Sequence, residues 1–141
     1  MQAQKQLCIL LAEDNEVDAR AVSRALRDVR IVHPIVRAKD GVEALALLRG
    51  NGAVEVPRPY VVLLDLSMPR MDGLQFLEEL RADPVLQTSV VFVLTTSNAD
   101  EDRTRAYRAN VAGYVLKTRL SEGFGELREL IESYASIVEL P

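Results

Sequence analysis

The sequence has few of the residues that mark secreted, thiolate-metal or nucleic-acid-binding proteins. Cys8 is its single cysteine, which excludes an internal disulfide and a cysteine-based metal site. Acidic residues outnumber basic ones by 21 to 17, so the net charge of −4 argues against nucleic-acid binding, which needs a cationic surface. There is no apolar run of membrane-spanning length and no signal-peptide pattern at the N-terminus. We therefore expect a cytoplasmic protein without membrane contact.

Short apolar segments recur along the chain and predict five strands. These segments are Leu7–Leu11, Ile35–Ala38, Tyr60–Leu64, Val90–Leu94 and Tyr114–Leu116. The third and fourth segments, YVVLL and VVFVL, are apolar at every position, which is typical of strands covered on both faces. Such strands belong in the middle of a parallel sheet.

The stretches between these segments have the period of amphipathic helices. The first three helices are predicted to bury Val17, Ala21, Val22, Ala25, Leu26 and Val29, then Val42, Leu45, Ala46 and Leu48, then Leu74, Leu77 and Leu80. A fourth helix is predicted over Asp100–Asn110, and a fifth from Ser121 or Glu122 onward. The fifth carries a wide apolar stripe made of Leu127, Leu130, Ile131, Tyr134, Ile137 and Val138.

Strand and helix alternate five times, which predicts an α/β fold with a five-stranded, doubly wound parallel sheet and helices on both faces. In such a sheet, ligands bind beyond the carboxyl ends of the strands. Polar residues follow four of the predicted strands at that point: Glu13 and Asp14, Asp65, Thr95, and Lys117. We expect these carboxylates, the hydroxyl and the ammonium group to meet at one edge.

The three carboxylates of Glu13, Asp14 and Asp65 indicate a cation site, because they would repel one another in a small pocket without one. Hard oxygen ligands in a partly open site suit Mg²⁺. A carboxylate beside Mg²⁺ can attack phosphorus to give an acyl phosphate. Thr95 and Lys117 would then donate hydrogen bonds to the phosphoryl oxygens. The set predicts phosphoryl transfer to an aspartate.

Each residue also has an ordinary structural explanation. Asp14 or Asn15 can cap the first helix, and a single lysine such as Lys117 is usually a surface residue. An acidic residue after a strand is often only a solvated turn residue. The joint pattern at four strand ends favours the functional interpretation.

Five motifs carry a resemblance to a known family. They are LLAEDN (Leu10–Asn15), DGVEAL (Asp40–Leu45), LLDLSMPRMDG (Leu63–Gly73), VLTTS (Val93–Ser97) and GYVLK (Gly113–Lys117). In these motifs the chain resembles the receiver domain of two-component response regulators along essentially its whole length. The resemblance implies a flavodoxin-like sheet with strand order 2-1-3-4-5. It also implies that residues 1–141 form a single receiver domain with a C-terminal helical extension and no effector domain.

The resemblance implies a phosphoacceptor and a metal site. Asp65 resembles the phosphoacceptor aspartate. Glu13 and Asp14 resemble the acidic pair that holds Mg²⁺, Asp14 directly and Glu13 through water. Ser67 is expected to offer its backbone carbonyl to the same ion.

Three further roles follow from the resemblance. Lys117 resembles the phosphate-binding lysine, Thr95 the switch hydroxyl and Tyr114 the aromatic residue that turns inward behind it. Receivers usually follow this lysine with proline, and here Thr118 takes that place. A cis peptide costs about 2.5–4 kcal/mol before a non-proline residue, against about 0.5–1 before proline. This departure favours a trans bond and a different entry into the last helix.

The loop Gly50–Pro59 and the tail Ser133–Pro141 resemble stand-alone regulators paired with phytochrome-type histidine kinases. That resemblance implies a homodimer through the final helix and tail, with the fourth helix and fifth strand contributing. The wide apolar stripe supports it, because exposed apolar patches usually mark contact surfaces. The alternative is that the tail folds back and completes its own core.

The resemblance implies a regulatory switch that catalyses only its own phosphotransfer and dephosphorylation, not a turnover enzyme. A sensor histidine kinase is the expected phosphodonor, and a downstream protein or phosphotransfer protein the expected responder. Two alternatives stay open: an aspartate-nucleophile phosphohydrolase, and a pseudo-receiver that binds partners without phosphorylation. The missing substrate-capping domain argues against the first, and the complete Asp, Glu, Thr and Lys set argues against the second.

Overall fold

Five parallel strands alternate with five helices in the computed structural model, which describes residues 6–141. The strands are β1 (Leu7–Ala12), β2 (Val32–Ala38), β3 (Tyr60–Leu64), β4 (Val90–Thr95) and β5 (Gly113–Leu116). The helices are α1 (Glu16–Arg27), α2 (Gly41–Leu48), α3 (Gly73–Ala82), α4 (Asp100–Arg108) and α5 (Gly125–Ile137). A short 3₁₀ helix, Lys117–Arg119, links β5 to the last segment.

The strand order in the sheet is β2-β1-β3-β4-β5, and all neighbouring pairs are parallel. The predicted doubly wound α/β fold and its strand order are therefore confirmed. The order reverses on either side of β1, where Leu10 pairs with Val36 of β2 and Val62 of β3. Such a reversal opens a crevice at the carboxyl ends of the strands.

Apolar cores lie on both faces of the sheet. One core packs β-strand side chains against α2, α3 and α4, and the other packs them against α1 and α5. Every residue of β1 and β3 is buried, as their continuous apolar sequences predict. The two central strands thus hold the residues that follow them in a fixed position at the sheet edge.

Two predicted helix faces need correction. Val17 is 74% exposed, although the periodicity predicts it on the buried face of α1. The buried face is set by Ala19, Val22 and Leu26, and Val17 lies about 200° around the helix from Ala19. In α2, Leu45 is buried as predicted, but Val42 is 40% exposed. The helix turns Ala44 and Leu47 toward the core instead of Ala46 and Leu48.

The fifth helix starts later than predicted, at Gly125 and not at Ser121 or Glu122. Gly123 and Phe124 have φ angles of 84° and 57°. This left-handed conformation cannot continue into a right-handed helix, so the chain turns before α5 begins. The Lys117–Thr118 peptide is trans, as expected from the missing proline.

The tail partly folds back onto its own domain. Leu140 packs against the core beside α5, and the Tyr134 ring meets the Phe92 ring edge-to-face at a centroid distance of 5.1 Å. Ile137 is 82% exposed, so the predicted stripe is divided between the core and the surface. The loop from Gly50 to Pro59 is largely exposed, as predicted. Within residues 6–141, no helix is long and apolar enough to span a membrane.

Candidate functional site

The carboxyl edge of the sheet brings the predicted polar residues together. Asp65 directly follows β3, Thr95 ends β4, and Lys117 directly follows β5. Glu13 and Asp14 follow β1 and lead into α1. Direct hydrogen bonds join Asp65 to Thr95 and to Lys117, and another joins Lys117 to Glu13.

Asp65 is buried, and each of its carboxylate oxygens has a defined partner. Oδ1 accepts from the Thr95 hydroxyl at 2.9 Å and from the Ser67 N–H at 3.2 Å. Oδ2 accepts from Lys117 Nζ at 2.9 Å. A Cβ at Gly73 would lie 2.5 Å from the Asp65 carbonyl oxygen, so the close approach of α3 to this loop requires glycine.

Lys117 is buried and donates to three carboxylates. Its Nζ lies 2.6 Å from Glu13 Oε1, 2.9 Å from Asp65 Oδ2 and 2.8 Å from Asp18 Oδ2. Sequence reasoning missed Asp18, which lies in the first turn of α1, four residues after Asp14. Its spacing in the sequence gave no signal, because the contact with Lys117 depends on how the first turn of α1 is placed over β1.

The charges of the site shift one another's pKa values. Burial raises the pKa of Glu13 to about 7, against the opposing effect of the Lys117 hydrogen bond. Burial also acts to raise the pKa of Asp65, but hydrogen bonds, first that from Lys117, outweigh it and hold the pKa below its usual value. For Lys117, burial acts to lower the pKa, and hydrogen bonds to Asp18, Glu13 and Asp65 raise it overall. The ammonium group therefore stays charged.

The carboxylates of Glu13, Asp14 and Asp65 fit a divalent cation. One oxygen from each lies within 4.8 Å of the other two. Asp14 is exposed whereas Glu13 and Asp65 are buried, so the group opens to solvent on one side. Carboxylate oxygens in a partly open site are the ligands that Mg²⁺ prefers.

A hydrogen-bond path leads from Asp65 to Tyr114. The Ser97 N–H donates to Thr95 Oγ1 at 3.4 Å, and the Tyr114 hydroxyl donates to the Ser97 carbonyl at 2.8 Å. The Ser97 hydroxyl donates to Asp102 of α4 at 2.6 Å, which holds the β4–α4 loop. The half-buried Tyr114 is thus linked to Asp65 through Thr95 and Ser97.

Known proteins are similar to this chain in sequence and fold. The family model of the response regulator receiver domain matches residues 9–132. Response regulator Rcp1 of Synechocystis sp. strain PCC 6803 is 37% identical over 127 residues, which cover 89% of this chain and 86% of Rcp1. The crystal structure of the Mn²⁺-bound form of Rcp1 superposes with a TM-score of 0.84 and covers 95% of this chain and 98% of that one.

Two further crystal structures are similar. The phosphorylated cyanobacterial phytochrome response regulator RcpA is 34% identical, with a TM-score of 0.81 and 99% coverage of both chains. Response regulator RPA3017, in red light signalling of R. palustris, is 29% identical, with a TM-score of 0.79 and coverage of 95% and 97%. These matches confirm the family predicted from the motifs. The chain belongs to the response regulator receiver domain family.

Proposed function

We propose that the chain is a phosphorylation switch that accepts a phosphoryl group on Asp65 from a sensor histidine kinase and thereby changes its binding to other proteins. The observation that carries the proposal is the arrangement around the Asp65 carboxylate. Lys117 donates to one of its oxygens and Thr95 to the other. The same two donors could form hydrogen bonds to the negatively charged oxygens of a phosphoryl group bound to Asp65.

A Mg²⁺ ion fits the acidic group of this site. Asp14 would bind it directly, Glu13 through water, and Asp65 and the Ser67 carbonyl would complete the protein ligands. The acidic group is consistent with this role, as is the Mn²⁺ bound by the similar protein Rcp1. When bound, the ion supplies positive charge that offsets repulsion between the carboxylates and an incoming phosphoryl group.

The transfer is a displacement at phosphorus. A carboxylate oxygen of Asp65 forms the new bond to phosphorus as the bond to the donor histidine nitrogen breaks, and that nitrogen keeps the electron pair. Lys117 keeps its bonds to Glu13 and Asp18 and turns its third donor to a phosphoryl oxygen. Thr95 donates to another phosphoryl oxygen. The product is an acyl phosphate that carries one more negative charge than the free carboxylate.

A small phosphodonor separates this function from the two alternatives. With Mg²⁺ and acetyl phosphate, we expect each chain to gain one labile phosphoryl group, seen by intact-protein mass spectrometry. A phosphohydrolase would release phosphate continuously without accumulating the adduct, and a pseudo-receiver would do neither. Either of these results would contradict the proposal.

The kinase that we propose as donor is of the phytochrome type. The support is the similarity to RcpA and to the regulator in red light signalling of R. palustris. Phosphotransfer profiling against the histidine kinases of the same genome tests this, with fastest transfer expected from a phytochrome kinase. Faster transfer from an unrelated kinase would overturn the pairing and leave the switch intact.

Thr95 is expected to couple phosphorylation to Tyr114. Thr95→Ala should still be phosphorylated but should lose the accompanying change at Tyr114, because the hydroxyl that links Asp65 to the β4–α4 loop is gone. NMR of labelled tyrosine rings, recorded before and after the phosphodonor is added, measures this change. Thr95→Ser keeps the hydroxyl and serves as the control. Equal shifts of Tyr114 in wild type and Thr95→Ala would contradict the coupling.

We propose a homodimer through α5 and the tail, with α4 and β5 contributing. Since Tyr134 and Leu140 pack on their own core, the contact must use the exposed remainder of the stripe, centred on Ile137. Two-fold self-contact is the commonest way to cover such a surface. Ile137→Lys should therefore give a folded monomer.

Light scattering of wild type and Ile137→Lys tests the dimer. Val17→Lys is the matched control, since Val17 is 74% exposed on α1, and it should leave the dimer unchanged. A wild-type chain that stays monomeric at high concentration, with and without phosphodonor, would refute the interface.

A further inference from the structure

Arg37 lies on the edge strand β2, beside the loop that carries two of the acidic residues. Its Nε donates to the Glu13 carbonyl at 3.0 Å, and one terminal nitrogen donates to the Asp14 carbonyl at 3.1 Å. The other terminal nitrogen donates to the Glu16 carboxylate at 2.5 Å. The guanidinium therefore spans the whole turn from the end of β1 to the first turn of α1.

The two carbonyl groups that Arg37 binds lie beyond the sheet. The last strand pairing of β1 joins Ala12 to β2 and β3, so the next carbonyls have no ladder partner. Buried or half-buried carbonyls need a donor, and the fork of an arginine can serve several at once. Arg37 is half-buried and fills this place from the neighbouring strand.

Asp14 depends on this backbone support more than Glu13 does. Glu13 is held by its own side chain, which accepts from Lys117 and from the Asn15 N–H. The exposed Asp14 carboxylate has no hydrogen-bond partner among residues 6–141. The direction of the Asp14 side chain is thus set by its backbone, and Arg37 holds that backbone.

We propose that Arg37 is a positioning residue for the divalent-cation site, which keeps the Asp14 carboxylate beside Asp65 by holding the carbonyls of Glu13 and Asp14. This inference rests on the cation site of the proposed function. The charge of Arg37 has the opposite effect, because a positive group close to the site repels a cation. Positioning and charge therefore predict opposite changes in metal affinity when Arg37 is replaced.

Direct cation binding to the full chain, without phosphodonor, measures these changes. Mn²⁺ is the probe, followed by the electron paramagnetic resonance signal of the free ion, with Mg²⁺ as competitor. Arg37→Met keeps the apolar stem and should weaken Mn²⁺ binding about 10-fold or more, as loss of a partner that orients a ligand does. Arg37→Lys keeps the charge but cannot span the turn, so its binding should also weaken.

Tighter binding by Arg37→Met with unchanged binding by Arg37→Lys would show a charge effect alone and would overturn the inference. Unchanged binding by both variants would overturn it as well. Arg128→Met is the control for net charge, since Arg128 is exposed on α5, and it should bind Mn²⁺ as wild type does. Thermal melting followed by circular dichroism checks the fold, and Arg37→Lys decides the question if Arg37→Met does not fold.

Asp14→Ala distinguishes failure of this inference from failure of the proposed function. If wild type does not bind Mn²⁺, or if Asp14→Ala binds it as tightly as wild type does, the proposed cation site is wrong. The positioning role of Arg37 is then wrong as well. If Asp14→Ala loses binding while Arg37→Met and Arg37→Lys retain it, the cation site stands and only the positioning role is wrong.

Discussion

Asp65→Asn is expected to abolish phosphorylation by acetyl phosphate and by the kinase. The substitution keeps the shape of the side chain and an oxygen that can accept from Thr95 and the Ser67 N–H. It removes the negative oxygen that attacks phosphorus, and an amide oxygen is a poor nucleophile. Intact-protein mass spectrometry after incubation with Mg²⁺ and phosphodonor should show the added phosphoryl group in wild type and none in the variant.

Asp102→Asn is the matched control, because Asp102 lies near the same edge and accepts a hydrogen bond from Ser97 that asparagine can keep. It should be phosphorylated as wild type is. An acyl phosphate found in Asp65→Asn would move the acceptor to another carboxylate of the site, of which Glu13 and Asp14 are the neighbours.

The sequence predicts the strands, and the polar residues at the carboxyl edge of the sheet, for one physical reason. The central strands are covered on both faces, so their sequences are apolar without interruption, and a polar residue such as Asp65 marks the point where the apolar strand ends. The same signal identifies Glu13 and Thr95. The apolar pattern did not predict the strand order, which came from the family resemblance.

Asp18 and Arg37 could not be predicted in this way. Asp18 lies on an amphipathic helix with other charged residues, and its contact with Lys117 depends on how the first turn of α1 is rotated over β1. Arg37 interrupts the apolar pattern of an edge strand, and its partners are known only once β2 is placed beside β1. The predicted burial of Val17 was wrong for a related reason. The apolar periodicity of α1 was compatible with two neighbouring helix faces, and packing against the sheet buried the one that excludes Val17.

Lys117→Met is expected to lower the free energy of unfolding of the metal-free protein by about 3–5 kcal/mol, as removal of one partner from a buried ion pair does. Lys117 is only 7% exposed and is bonded to Glu13, Asp18 and Asp65. Methionine keeps the apolar stem, so the loss comes from carboxylates left without their ammonium partner. Urea denaturation without metal measures it.

The loss should depend on pH, with a sign fixed by Glu13. Burial raises the pKa of Glu13 to about 7 from its ordinary 4.5, and removal of Lys117 takes away a group that lowers it. An acid whose pKa is higher in the folded chain than in the unfolded chain binds its proton more tightly when folded. The stability that this proton contributes is fully present below the pKa of the unfolded chain, and it is lost as the pH rises through the pKa of the folded chain. The deficit of Lys117→Met should therefore be smallest near about pH 5 and largest above about pH 8.

Added Mg²⁺ should restore part of the stability at the higher pH, because a cation that binds only the folded protein shifts the equilibrium toward it. Arg49→Met is the control, since Arg49 pairs with Asp83 on the surface, and loss of an exposed pair costs about 0–1 kcal/mol. If Lys117→Met lost no more stability than Arg49→Met, the ammonium of Lys117 would not be what holds the carboxylates together. If its deficit grew toward low pH, the repulsion would not come from Glu13, because that carboxyl group is protonated there and carries no charge.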